Sequence, residues 1–114
     1  MDLHNCDVST FNRESLKAYF KMICTEIDMT RCKLCFWDDL GVPENERQTS
    51  PHTKGTSAVQ FILTSNITVH TLDLMGCVYL NIFSCKSFDP DIAEKVSVMW
   101  FKGQVRSKYF IDRI

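Results

Sequence analysis

At 114 residues the chain has room for one domain, 1–114, and no second core. Its composition, 45% hydrophobic and 24% charged, is that of an ordinary globular protein. A balance of 13 basic against 14 acidic side chains carries no electrostatic footprint for nucleic acid or an anionic membrane. No apolar run approaches the roughly 20 residues of a bilayer span. The opening MDLHNCD lacks the basic start and apolar block of a secretory signal. The expectation is a cytoplasmic protein with reduced thiols, most of its six cysteines serving as small buried hydrophobes.

Residues 1–6 read as a short opening strand, with Ser9 and Thr10 as plausible helix caps. From Phe11 to Ile27, apolar residues at Leu16, Tyr19, Phe20, Ile23 and Ile27 repeat every three or four positions, an amphipathic helix. Cys32 to Trp37 reads as a strand. Its Cys-x-x-Cys invites a metal, but residues three apart on a strand point to opposite faces, and no second ligand pair appears. No metal is expected. Asp38 to Lys54 is a polar loop of the length at which loops tend to be functional or mobile.

The stretch from Gly55 to Cys85 holds three apolar runs, read as strands over Ser57–Leu63, Ile67–Thr71 and Cys77–Phe83. Asp89-Pro90 starts a second helix that runs to about Phe101, with Gly103 closing it, and Gln104–Ile111 reads as a last strand. Two helices among about six meander-linked strands predict an α+β fold: a two-layer sandwich, mainly antiparallel, with both helices on one face. The other face is then solvated or meets a second copy.

Four polar residues punctuate these runs: Ser57, Ser65, His70 and Cys85. Ser65 lacks the Gly-x-Ser-x-Gly elbow and an acidic third member, so a serine hydrolase is weakly supported. A serine hydroxyl at a tight junction can also act on its own backbone. Several segments together are similar to a known pattern: Asp2-Leu3-His4-Asn5-Cys6-Asp7, Gly55-Thr56-Ser57-Ala58, Ser65-Asn66-Ile67-Thr68-Val69-His70-Thr71 and Ile82-Phe83-Ser84-Cys85. In order and spacing they resemble the small bacterial and archaeal S-adenosylmethionine decarboxylases, which make their own pyruvoyl cofactor.

The resemblance implies self-cleavage between Thr64 and Ser65 into fragments 1–64 and 65–114, residue 65 becoming the pyruvoyl group. Ser57 would assist that step and His70 would act as the processing base. The pyruvoyl ketone would hold the substrate amine as a Schiff base, and Cys85 would return a proton to the α-carbon. The implied product is the aminopropyl donor for spermidine synthesis, and the implied assembly is a homodimer.

Asn66 stands where the family has histidine and Thr64 where glutamate or lysine is common, but the more serious departures fall on the nucleoside side. Leu74 stands where the family has a glutamate associated with the ribose hydroxyls, with Asp73 adjacent. Pro51 and His52 occupy the region of the aromatic that stacks on adenine, leaving Phe36, Trp37 or His52 as substitutes. The alternatives are therefore a pyruvoyl decarboxylase of arginine or ornithine, or a non-catalytic regulatory homologue.

Overall fold

The computed structural model describes residues 1–112. Six strands, β1 (Asp2–His4), β2 (Arg31–Trp37), β3 (Ser57–Ile62), β4 (Ser65–Leu72), β5 (Cys77–Phe83) and β6 (Gln104–Ser107), form one sheet. Its order is β2-β3-β4-β5-β1-β6, and every neighbouring pair is antiparallel. Helices α1 (Arg13–Glu26) and α2 (Pro90–Phe101) share one core with it. The α+β sandwich expected from the sequence is present.

Alternation along the strands decides which residues meet the helices. On β4, Ile67 and Val69 are fully buried in the core cluster with Leu16, Phe20 and Ile23 of α1 and Val96 of α2. Thr68 and His70, one residue out of step, therefore face the other way. Tyr19 joins the helices: its ring lies 4.8 Å from that of Phe101, and its hydroxyl hydrogen-bonds Ser97 at 2.8 Å. Burial pushes that phenol far above its ordinary pKa, so it stays neutral.

Three local expectations are corrected. Asn12, not Ser9 or Thr10, caps α1, its side chain accepting from the Ser15 N–H at 2.9 Å. Ser9 and Thr10 are used in a preceding 3-10 turn, where both hydroxyls donate to Asp7. At the end of α2 the left-handed residue is Lys102, with φ of 53°, not Gly103. Gly103 is needed for closeness instead: a Cβ there would sit 2.5 Å from Cys6 Sγ and 3.2 Å from the His4 carbonyl oxygen. Finally, β6 ends at Ser107, and Lys108 turns away to pair with Glu94 and Asp91 of α2.

A bulge also overturns the argument that the Cys-x-x-Cys sulfurs diverge. Arg31 stands opposite Ile62 and Leu34 opposite Gln60, so Cys32 and Lys33 together face Phe61. The extra residue cancels one step of alternation and puts Cys32 on the same side as Cys35. The buried Gln60 amide holds the bulge by donating to the Cys32 carbonyl at 3.1 Å and to the Phe61 carbonyl at 2.9 Å. Both thiols are free, and no cluster of three metal-ligating side chains occurs among the described residues. Of the six cysteines only Cys24 and Cys77 are fully buried; Cys32 and Cys85 are exposed. The core thiols are inert, since burial raises the Cys24 pKa to about 11.

Candidate active site

The four polar residues fall into two groups. The first lies at the β3–β4 hairpin, closed by Leu63 and Thr64 alone. Thr64 adopts φ of 56°, the left-handed region that a β-branched residue enters at a cost of about 1–2 kcal/mol. Its own hydroxyl donates to the Leu63 carbonyl at 2.7 Å. Ser65, only 7% exposed, turns toward the helix side, and its Oγ accepts the Cys85 N–H at 2.9 Å. Cys85 Sγ in turn donates to the Thr64 carbonyl at 3.5 Å. One residue beyond β5 thus touches both the hydroxyl and the carbonyl of a strained peptide unit. The sequence singled out Cys85 but gave no sign of this double contact, which depends on how β5 ends beside the hairpin.

The second group is a row across the helix-free face. Register places Trp37, Ser57, His70, Tyr79, Asp2 and Ser107 side by side, one from each strand. Ser57 Oγ and His70 Nδ1 are 2.8 Å apart, and the Ser107 hydroxyl donates to Asp2 at 3.0 Å. A cleft of about 440 Å³ opens here, lined by Ser57, His70, Trp37, His52, Gln48 and Tyr79. Gly55 forms part of its wall because the backbone there passes against the Thr71 carbonyl, where a Cβ would overlap at 1.7 Å. Tyr79 was not singled out from the sequence; only its register opposite His70 brings it in.

Within one chain these groups do not meet. His70 follows Ser65 by five residues, about 16 Å along a strand, and the odd step puts it on the opposite face.

The two residues of the β4–β5 turn that differ from the expected pattern also lie outside this cleft. Leu74 is 58% exposed. Asp73 lines a separate cleft of about 560 Å³ with Lys54, Asp39 and Arg13. Burial raises its pKa, Lys54 opposes the shift and Asp39 adds to it; its Oδ1 is buried without a hydrogen-bond partner.

A two-layer sandwich carrying a serine at a strained hairpin, a cysteine against the same peptide unit and a serine–histidine pair on the helix-free face defines a class of small α+β protein. The sequence matches the family described as S-adenosylmethionine decarboxylase over residues 1–113. The chain belongs to the S-adenosylmethionine decarboxylase family. In fold it is similar to the crystal structure of the adenosylmethionine decarboxylase from Aquifex aeolicus VF5, with a TM-score of 0.64 and 15% identity. That likeness covers 91% of this chain and 78% of the Aquifex chain. Comparison with curated proteins finds no match. Among the described residues, no helix is long and apolar enough to cross a membrane.

Proposed function

We propose that the chain is a proenzyme that cuts itself between Thr64 and Ser65 and then decarboxylates S-adenosylmethionine. The observation that carries this reading is the Thr64–Ser65–Cys85 arrangement. Ser65 Oγ is placed next to the carbonyl of a left-handed residue, which a hydrogen-bond donor, Cys85 Sγ, already polarises. Attack of Oγ on the Thr64 carbonyl carbon forms a five-membered oxyanion, and breaking the C–N bond leaves an ester. The negative charge develops on the oxygen that Cys85 contacts. Strain at Thr64 is relieved as the carbonyl carbon becomes tetrahedral.

The second step needs a base at the α-proton of residue 65. Its removal expels the Thr64 carboxylate and leaves a dehydroalanine, which takes up water and releases ammonia to give the pyruvoyl ketone. His70, paired with Ser57, is the base we assign. Since His70 lies five residues, about 16 Å, along β4 from Ser65, we assign that base to a second copy. Two helix-free faces stacked antiparallel bring the His70 row of one copy over the hairpin end of the other, and twofold symmetry repeats the site. The same face exposes Trp37 and Phe61, apolar area that such stacking covers.

Ser65, with the Cys85 N–H on its Oγ and the Cys85 thiol against the preceding carbonyl, is the residue that would carry a pyruvoyl group, which would supply an electron sink for the decarboxylation. Cys85, exposed and adjacent, is the side chain placed to return a proton to the substrate's α-carbon. The product of that reaction is the aminopropyl donor for spermidine synthesis.

Intact-mass measurement tests the reading directly. The expected result is loss of the 13.2 kDa species in favour of fragments 1–64 and 65–114, the second with a blocked start. A chain that stays whole after prolonged incubation would falsify the processing reading and leave a non-catalytic homologue.

A further inference from the structure

We infer that Lys86 is a positioning residue for Cys85, held to Asp28 so that one loop registers both the thiol and the peptide unit it contacts. The inference rests on the reading that Cys85 polarises the Thr64 carbonyl. Cys85 sits on the link between β5 and α2, at the tip of a small turn. The Ser84 hydroxyl closes that turn, donating to the Lys86 carbonyl at 2.6 Å and accepting the Lys86 N–H at 3.0 Å. Closure fixes the shape of the turn; its placement against the β3–β4 hairpin needs a second tie.

Lys86 supplies that tie. Its Nζ donates to the Asp28 carbonyl at 2.6 Å and to the Asp28 carboxylate at 2.8 Å. Asp28 lies in the α1–β2 loop with φ of 58°. The helix end anchors it: the Asp28 N–H donates to the Thr25 carbonyl at 3.3 Å, and the Met29 N–H to the Cys24 carbonyl at 2.7 Å. The same loop meets the hairpin, where the Leu63 N–H donates to the Thr30 carbonyl at 3.3 Å. Residues 28–30 therefore hold Leu63 on one side and, through Lys86, Cys85 on the other. Asp28, Thr30, Thr64, Cys85 and Lys86 line one cleft of about 320 Å³. A hydrogen bond weakens steeply once its angle is lost, so a turn free to rock would give up the Cys85–Thr64 contact.

Stability does not account for the pair. The Lys86 and Asp28 side chains are 58% and 94% exposed, and exposed ion pairs contribute little to folding. The hydrogen bond and charge of Lys86 hold the Asp28 carboxyl below the ordinary aspartate range, so it is ionised at neutral pH.

Time courses of self-cleavage, read by intact mass, test the inference. Lys86→Met is expected to slow cutting about tenfold, since a small misplacement of a reacting group costs much rate. Its unfolding midpoint should hardly move. Lys86→Arg keeps a charged donor and should stay within about threefold of wild type. Salt near 1 M, where the screening length is about 3 Å, should slow wild type and leave the Lys86→Met rate alone. Amide exchange adds a readout that needs no cutting: Lys86→Met should lose protection at Cys85 while Ile27, at the end of α1, keeps its own. Three results would overturn the inference: Lys86→Met cutting at the wild-type rate, Lys86→Arg as slow as Lys86→Met, or equal loss of protection at Ile27, which would make Lys86 a helix cap. A wild type that stays whole defeats the processing reading, and exchange at Cys85 then decides this one. A wild type that cuts no faster than Lys86→Met does the reverse.

Discussion

The hairpin end of β4 and the Ser57–His70 row meet on that strand, through Ser65 and His70, yet they are built on different principles. The hairpin is strained: a threonine is held at positive φ, with its carbonyl and the next hydroxyl both contacted by Cys85. The row is unstrained. It rests on register alone, six strands each contributing one side chain to a single line across the sheet. The first group bears on its own backbone; the second faces outward from the sheet. Helices cover the side toward which Ser65 turns and leave open the side where His70 stands.

Mixing two inactive variants is the severest way to break that comparison. Ser65→Ala lacks the attacking hydroxyl and His70→Ala lacks the base, so each alone should remain whole on intact-mass analysis. Co-expressed in equal amounts, about half of the His70→Ala chains should be cut, those paired with a Ser65→Ala copy that donates its histidine. If the His70→Ala chains stay whole in the mixture, the base acts within one chain and the stacked-face arrangement is wrong.

A smaller effect isolates the row. Gly55 approaches the Thr71 backbone so closely that any side chain must push β3 away from β4 just where Ser57 meets His70. Gly55→Ala is expected to cost about 1–3 kcal/mol in urea unfolding, the usual range for forced overpacking. Processing should slow as Ser57 and His70 move apart. The hairpin contacts, at the far end of both strands, should keep their hydrogen-exchange protection. Equal loss of protection at the Cys85 amide would show that the two groups are not independent.

Much of this was legible in the sequence. Helix periodicity gave α1 and α2 within a residue or two, and alternating apolar residues gave β3, β4 and β5. The four polar residues stood out because apolar runs surround them. What failed needed the third dimension. The bulge at Cys32–Lys33 is stabilised by Gln60, 28 residues away from Cys32, so no local reading could find it. Lys102 takes the left-handed position and Gly103 instead passes close to Cys6, a contact invisible along the chain. The separation of Ser65 from His70 was missed because the strand was read from Ile67; β4 begins at Ser65, and only then does parity put the two on opposite faces.

The smallest predicted effect concerns the charged cleft on the helix side, which the reaction does not use. Asp73 has a raised pKa because burial penalises its charge, and its Oδ1 makes no hydrogen bond. A carboxyl whose pKa is higher folded than unfolded binds protons more tightly in the native state. Its penalty is therefore absent below the ordinary aspartate range and fully present once pH exceeds the folded value. Asp73→Asn, neutral throughout, should raise the unfolding midpoint slightly at pH 7 and lose that advantage on acidification below about pH 4. An advantage that persists unchanged in acid would assign the gain to a new amide hydrogen bond instead of to relief of a buried charge. Self-cleavage should be the same in both proteins, since Asp73 belongs to neither of the two groups on β4.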